Sequence, residues 1–264
     1  MLTHEEIESL GFKGRLEALR KIKRWKQFSP AFYRHDLEMH SLELLYIFNE
    51  LESIIKEIFP NLDLEKTRTL ILVHDDPETI SLGGDVTYDR KLNMTEKEKH
   101  ELEIEEEKAI EELLKIWPET INGYSYKELL LMAKEKNTVE AQLLSYIDKF
   151  SALCESLHEL HAGNIGFHEG WQTERDRPPV AGNNIVNLIP KYNLISEFLK
   201  INHPIIIPYK RPNVKSLLES VKPHTKDSIF IPTGLAHYDF WKFTILKHGK
   251  EKALNWLTQQ REFL

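Results

Sequence analysis

The chain has 264 residues, of which 41% are hydrophobic and 29% charged, and its formal net charge is -7. This composition is typical of a folded domain with a sizeable core and excludes a disordered chain. The acidic balance argues against a protein that coats nucleic acid, which needs a basic face, while a single nucleotide is still allowed as a substrate. One cysteine, Cys154, excludes an internal disulfide and a cysteine-based zinc site.

The amino-terminal residues contain no apolar core of a signal peptide, and no apolar run approaches the roughly 20 residues of a membrane span. These features predict a cytoplasmic protein without a membrane partner.

The apolar spacing predicts a mainly α-helical chain. Thr3 with the acidic residues after it indicates a first helix start. Long amphipathic helices are predicted from His40 to about Pro60, over 95–116 and over 138–161. The apolar stretch 69–73 fits a buried helix better than a strand because helical patterns surround it. Side chains predicted on the buried face of the second long helix are Ile104, Ile110, Leu113, Leu114 and Trp117.

The last hundred residues have a different pattern. Prolines cluster there, which indicates many turns. Two short β-branched runs, 205–207 and 229–231, fit short strands, and 240–263 resembles a terminal helix. We therefore expect a less regular carboxy-terminal segment after the helical part.

Four ionisable residues stand out together as candidate metal ligands. His40 lies on one predicted helix, His74 and Asp75 follow a buried apolar run, and Asp148 lies on the apolar stripe of a later helix. Burying a carboxylate such as Asp148 is costly unless it is paired or bound to a metal. Imidazole and carboxylate together suit a divalent first-row metal ion.

These residues lie in short strings that resemble one known family. The strings are Lys23-Arg24-Trp25, Met39-His40-Ser41-Leu42-Glu43-Leu44, His74-Asp75-Asp76-Pro77-Glu78, Gly84-Asp85, Ile147-Asp148-Lys149 and Glu159-Leu160 through Gly163-Asn164. In this order they resemble the HD-domain metal-dependent phosphohydrolases, and among them the bacterial YfbR-type 5'-deoxynucleotidases, over roughly residues 15 to 166.

The resemblance implies a fold and a set of roles. It implies an HD-type helical bundle over 1–166, with 167–264 as an extension packed on it. It implies a divalent ion, of the set manganese, cobalt, nickel, iron, zinc and magnesium, that activates a water for attack on phosphate. The implied metal ligands are His40, His74, Asp75 and Asp148, the catalytic carboxylates Glu78 and Asp85, and the substrate-binding residues Arg24 and Trp25. A homodimer is also implied.

The sequence leaves several alternatives open. His35 competes with His40 as the first ligand, and two extra residues separate Glu78 from Gly84 relative to the family pattern. Three functions fit: release of phosphate from (deoxy)ribonucleoside 5'-monophosphates, hydrolysis of another phosphate ester, nucleoside triphosphate or alarmone, and a non-catalytic helical module stabilised by metal. Carboxylates beside the ligands favour catalysis over the structural alternative.

Overall fold

The computed structural model describes residues 2–26, 31–80, 94–161, 164 and 191–201. These residues are mostly helical, which confirms the predicted fold class. The helices are α1 His4–Ser9, α2 Arg15–Lys21, α3 Leu37–Ile58, α4 Leu64–Val73, α5 Glu96–Ile116, α6 Tyr126–Glu135 and α7 Val139–His161. Short 3-10 turns span Asp76–Thr79, Asn193–Ile195 and Phe198–Lys200, and the strands are β1 Thr120–Ile121 and β2 Tyr124–Ser125. No helix among these residues is both long and apolar enough to cross a membrane.

Side-chain caps fix where several helices begin. Thr3 forms a reciprocal capping box with Glu6 at the start of α1, and Thr95 forms another with Glu98 at the start of α5. Asp63 accepts a hydrogen bond from the backbone of Lys66 and caps α4. The predicted starts of α1 and α5 are confirmed.

A two-residue turn joins β1 and β2. Asn122 and Gly123 both have left-handed backbones, with φ of 51° and 81°. Two such residues suit the tight hairpin turn whose twist matches that of the paired strands. An Asn-Gly dipeptide predicts a turn from the sequence, and the structure confirms it. Helix α6 begins directly after the hairpin.

The chain divides into two compact units, each built from separate stretches of sequence. The first comprises 1–24, 36–45 and 62–144, and the second comprises 25–35, 46–61 and 145–264. In the first unit, α2 and α5 both pack against the 3-10 turn Asp76–Thr79, and α4 packs against α6.

Aromatic rings fill part of the core of the first unit. The ring centroids of Phe12 and Tyr126 lie 5.0 Å apart edge to face, and those of Phe12 and Trp117 lie 5.9 Å apart. The edge-to-face contact of Phe12 with Tyr126 stabilises the core beyond the area that it buries. The indole nitrogen of Trp117 also donates to the Lys13 carbonyl at 3.2 Å, which ties the end of α5 to the chain before α2.

The second unit has its own apolar core along α7. Tyr146 stacks with Phe150 and meets Phe198 edge to face, with centroids 6.2 and 5.6 Å apart. The hydroxyl groups of Ser145 and Tyr192 are 2.9 Å apart. The described part of the carboxy-terminal segment thus packs on α7, and the predicted domain boundary at 166 remains a prediction.

Some expectations about individual elements are confirmed and others are wrong. The buried helix over 69–73 is confirmed as the last turns of α4. The apolar run around Cys154 predicts a small core residue, and Cys154 is buried. Ile104 was expected in the core, but its side chain is 37% exposed, and α6 was not predicted at all. Residues 81–94 contain two adjacent glycines and few apolar repeats, which predicts a loop. This stretch and the predicted strands and terminal helix after 201 lie almost wholly outside the described residues.

Candidate functional site

Three of the four predicted metal ligands meet in the first unit. His40 lies in the first turn of α3, and His74 and Asp75 form the short link between α4 and the 3-10 turn. One ligand atom from each lies within 4.8 Å of the others. His74 Nε2 is 3.1 Å from Asp75 Oδ1, and His40 Nε2 is 3.9 Å from Asp75 Oδ2.

A backbone hydrogen bond selects the tautomer of the neutral His74 ring. His74 Nδ1 lies 2.8 Å from the carbonyl oxygen of Ile71, which can only accept. Nδ1 of the neutral ring therefore carries the proton, and Nε2 presents a lone pair. This is the usual arrangement of a metal-binding histidine, whose second nitrogen is held by a hydrogen bond to a carbonyl or carboxylate.

His74 Nε2 faces a carboxylate oxygen of Asp75. Nε2 is buried and has no hydrogen bond to any group in the described part of the chain, while a carboxylate oxygen of Asp75 faces it at 3.1 Å. Two acceptors at this distance repel each other unless a proton or a metal ion lies between them. A divalent ion at roughly 2.0–2.2 Å from each ligand places adjacent ligands roughly 3.0–3.5 Å apart, so the observed spacing fits.

Accessibility differs among the three ligands. The His40 side chain is fully buried, whereas the side chains of His74 and Asp75 are 9% and 17% exposed. The cluster therefore has one deeply held ligand and a side that solvent reaches. A catalytic ion needs such an open position for water or substrate, unlike a purely structural one.

A fully buried ion pair lies directly beside this cluster. Arg15, the first residue of α2, contacts Asp76, and Nε lies 2.9 and 2.8 Å from the two carboxylate oxygens. The hydroxyl of Tyr126 donates to the same carboxylate at 2.8 Å. Burial raises the pKa of Asp76 above its usual value, and Arg15 and Tyr126 oppose that rise.

The same arginine reaches a buried histidine near the amino terminus. Arg15 Nη1 donates to His4 Nδ1 at 2.9 Å, and His4 Nε2 lies 2.8 Å from Ser41 Oγ. Because Nδ1 accepts from the guanidinium, the proton of the neutral ring is on Nε2, which donates to Ser41. Burial, followed by the charge of Arg15, holds the pKa of His4 well below its usual value.

The other predicted site residues are distributed as follows. Glu78 lies on the 3-10 turn, where its backbone N–H donates to the Asp75 carbonyl at 3.0 Å. The sequence spacing predicts that Glu78 lies one helical turn from Asp75, and the structure has a 3-10 turn there. Asp148 lies on α7 in the second unit, in contact with Lys149. Asp85 lies outside the described residues, so its role and that of Asp148 as fourth ligand stay predictions.

Trp25 has an unusual backbone that is held by two contacts within the second unit. Its φ is 57°, in the left-handed region that bulky residues avoid. The indole nitrogen donates to Glu155 Oε2 at 3.0 Å, and the Trp25 carbonyl accepts from Arg34 Nη1 at 3.1 Å. Strain of this kind persists where the surroundings fix it, and it is enriched at ligand-binding positions. Arg24 precedes it in the same turn after α2.

Two histidines outside the cluster also have defined contacts. His35, the competing first ligand, lies in the second unit with Nδ1 3.6 Å from Glu155 Oε1. The sequence predicts His158 on the surface or at the end of the helix over 138–161, but it is buried and its ring stacks on Tyr33 with centroids 3.7 Å apart. The ring of His158 therefore serves packing in the second unit.

A comparison with models of protein families identifies the family of the chain. A family model described as 5'-deoxynucleotidase YfbR-like matches residues 11–178, well over half of the chain. The chain belongs to this YfbR-like family. Comparison with curated proteins gives no match. The matched residues include all four predicted metal ligands, and the match confirms the resemblance to HD-type phosphohydrolases. The family is one of hydrolases.

Sequence reasoning missed the buried network around Arg15. Arg15 and Asp76 are 61 positions apart, and neither spacing nor composition pairs them. One available signal was Asp76 itself, a second acidic residue directly after a predicted ligand pair and before a proline. Another was Arg15, four residues before Leu19 on the buried face of α2.

Proposed function

We propose that this YfbR-like protein is a divalent-metal-dependent phosphohydrolase that releases phosphate from (deoxy)ribonucleoside 5'-monophosphates. The observation that carries the proposal is the cluster of His40, His74 and Asp75, in which His74 Nε2 and Asp75 Oδ1 are 3.1 Å apart. Membership of a 5'-deoxynucleotidase family supports the choice of substrate class. The alternative first ligand, His35, receives less support because the cluster with His74 and Asp75 contains His40.

The proposed ion is held by His40, His74 and Asp75, with Asp148 as the fourth protein ligand. When bound, a divalent ion supplies charge stabilisation for a phosphoryl group and lowers the pKa of a coordinated water. His74 is prepared for this role because its proton is fixed on the nitrogen that faces the Ile71 carbonyl. In that tautomer, the nitrogen that faces Asp75 carries the lone pair.

Glu78 is the proposed proton-transfer group. It follows Asp75 by three residues on the 3-10 turn, and its residue is only partly buried. A carboxylate in that position serves to orient an attacking water, to take its proton, or to protonate the leaving oxygen. Asp85 is proposed to assist. The side of the cluster that solvent reaches provides the route by which water and substrate enter.

Arg24 and Trp25 are proposed to bind the nucleotide. A guanidinium such as that of Arg24 binds phosphate through charge-assisted, forked hydrogen bonds. The flat indole of Trp25 offers a stacking face for a sugar or a base. Holding Trp25 in the left-handed region costs about 1 kcal/mol or more, and contacts with Arg34 and Glu155 offset that cost. A costly conformation held by two contacts supports a binding role.

Phosphate release from a panel of nucleotides tests the proposal. The protein is treated with EDTA, resupplied with Mn²⁺, Co²⁺ or Mg²⁺, and assayed on ribo- and deoxyribonucleoside mono- and triphosphates. We expect metal-dependent release from the monophosphates. His74→Ala should reduce it by more than about 100-fold, since loss of an outer-shell partner alone costs 10- to 100-fold.

His100→Ala is the matched control, because His100 lies on α5 with a 73% exposed side chain. Its activity should equal that of the unaltered chain. Phosphate release from triphosphates or other esters, with none from monophosphates, would contradict the proposed substrate class and identify another. Metal binding without turnover of any compound would contradict the enzymatic proposal in favour of a structural metal.

A further inference from the structure

Arg15 is the centre of a buried network that touches both ligand-bearing segments. Its side chain is fully buried, and all three of its nitrogens have partners. A buried guanidinium is costly unless its donors are satisfied and an acid balances its charge, and Asp76 supplies that acid. Every partner in the network is therefore needed, because removal of one leaves a buried charged group without its hydrogen bond in apolar surroundings.

One arm of the network holds the His74–Asp75 link from both sides. Arg15 donates to the carbonyl of Leu72, two residues before His74. It also contacts the carboxylate of Asp76, the residue directly after Asp75. The link itself lies between the end of α4 and the 3-10 turn, where continuous helical hydrogen bonding does not fix its course.

The other arm reaches α3 next to His40. Arg15 donates to His4 Nδ1, and His4 donates through Nε2 to Ser41 Oγ. The hydroxyl of Ser41 in turn donates to the Glu38 carbonyl at 2.9 Å, within the first turn of α3. Every hydrogen bond along this arm runs in the same direction, from Arg15 to the Glu38 carbonyl, so each group has one defined role as donor or acceptor.

We propose that Arg15 is a positioning residue that sets the spacing between His40 and the His74–Asp75 pair. One planar guanidinium connects the two segments, and the ligand atoms of these segments must lie within a few tenths of an ångström of the distances that a metal requires. The inference rests on the proposed metal site. A purely structural arginine would contribute to stability and leave the intrinsic affinity for metal unchanged.

Metal binding by the full chain tests this role without an assay of turnover. Metal-free protein is titrated with Co²⁺ and followed by its visible absorption, and Mn²⁺ binding is measured by calorimetry. Arg15→Lys retains the charge and loses the planar fork. We expect its dissociation constants to rise by about 10- to 100-fold, as found for outer-shell partners of metal ligands, with an altered cobalt spectrum.

Ile121→Ala is the matched control. Ile121 is buried on β1 in the same unit and has no part in the network. The control should lose thermal stability and still bind both ions within about two-fold of the unaltered chain. All titrations are made at a temperature at which circular dichroism shows each variant folded.

Tyr126→Phe provides a milder second variant should Arg15→Lys fail to fold. It removes only the hydroxyl that donates to Asp76 at 2.8 Å and retains the ring. We expect a several-fold weaker affinity for Co²⁺. Unchanged affinity in the folded variants would overturn the positioning role while the proposed metal site stands. Failure of the unaltered chain to bind either ion would overturn both, and metal binding without phosphate release would overturn the proposed function alone.

Discussion

Acidification should destabilise the protein through the buried ring of His4. The ring is neutral in the folded state, because Nδ1 accepts from Arg15 and a proton there would set two donors against each other. Burial and the charges of Arg15 and Arg20 keep its pKa well below the usual value, against an opposing bond to the Glu38 backbone. In the unfolded chain the ring is free to take up a proton.

The size of the effect follows from proton linkage. Where the unfolded state binds more protons than the folded state, the free energy of unfolding falls as the pH falls. The unfolded ring titrates near 6.5 and the folded ring titrates well below that value. Lowering the pH from 7.5 to 5.5 should therefore remove about 1.4 kcal/mol of stability through His4 alone, nearly all of it below pH 7.

Urea unfolding at several pH values measures this contribution. The unaltered chain is compared with His4→Gln, which does not titrate, and with His100→Gln as an exposed histidine control. We expect the pH slope of the free energy of unfolding to be shallower by about 1.4 kcal/mol over this range in His4→Gln only. Equal slopes in all three proteins would refute the neutral, buried state of His4.

Three substitutions test the packing and the hairpin. Leu113→Ala, at a fully buried position of α5, should cost about 2–5 kcal/mol in urea unfolding, whereas Ile104→Ala on the same helix should stay within about 0.5 kcal/mol because that side chain is 37% exposed. Equal losses would mean that the exposed and buried faces of α5 are wrongly assigned. Gly123→Ala should cost about 1 kcal/mol through its left-handed backbone alone, since an added Cβ meets no atom within 4 Å. A neutral result would argue against the left-handed turn.

Local patterns predicted most of the helical fold because each helix carries its own signal. The capping box at Thr95 and the apolar spacing over 138–161 are readable without tertiary information. Helix α6 was missed because its ten residues follow a turn and a two-residue strand, too short a segment for its period to stand out. The prediction for Ile104 was wrong because apolar periodicity shows which face of a helix is apolar. It does not show how much of that face packs against another element.

The sequence predicted the candidate metal ligands but not the hydrogen-bonded residues that hold them in place. His40, His74 and Asp75 are recognisable because ligand residues occur in short strings of adjacent sequence. The contacts that hold them cannot be read in this way, because Arg15 joins Asp76 and His4 joins Ser41 across 61 and 37 positions. Whether Asp148 completes the ligand set remains a prediction.

The division of each unit among separate stretches of sequence has a consequence for synthesis. The first unit needs residues up to 144, and the second needs the chain from 145 onward together with 25–35 and 46–61. Helix α3 supplies residues to both units. During translation at about 5–20 residues per second, the second half of α3 must wait for residues from 145 onward before its unit can form. The growing chain therefore exposes Phe48, Leu51 and Ile55 for several seconds, and a chaperone that binds apolar helices has that interval in which to act.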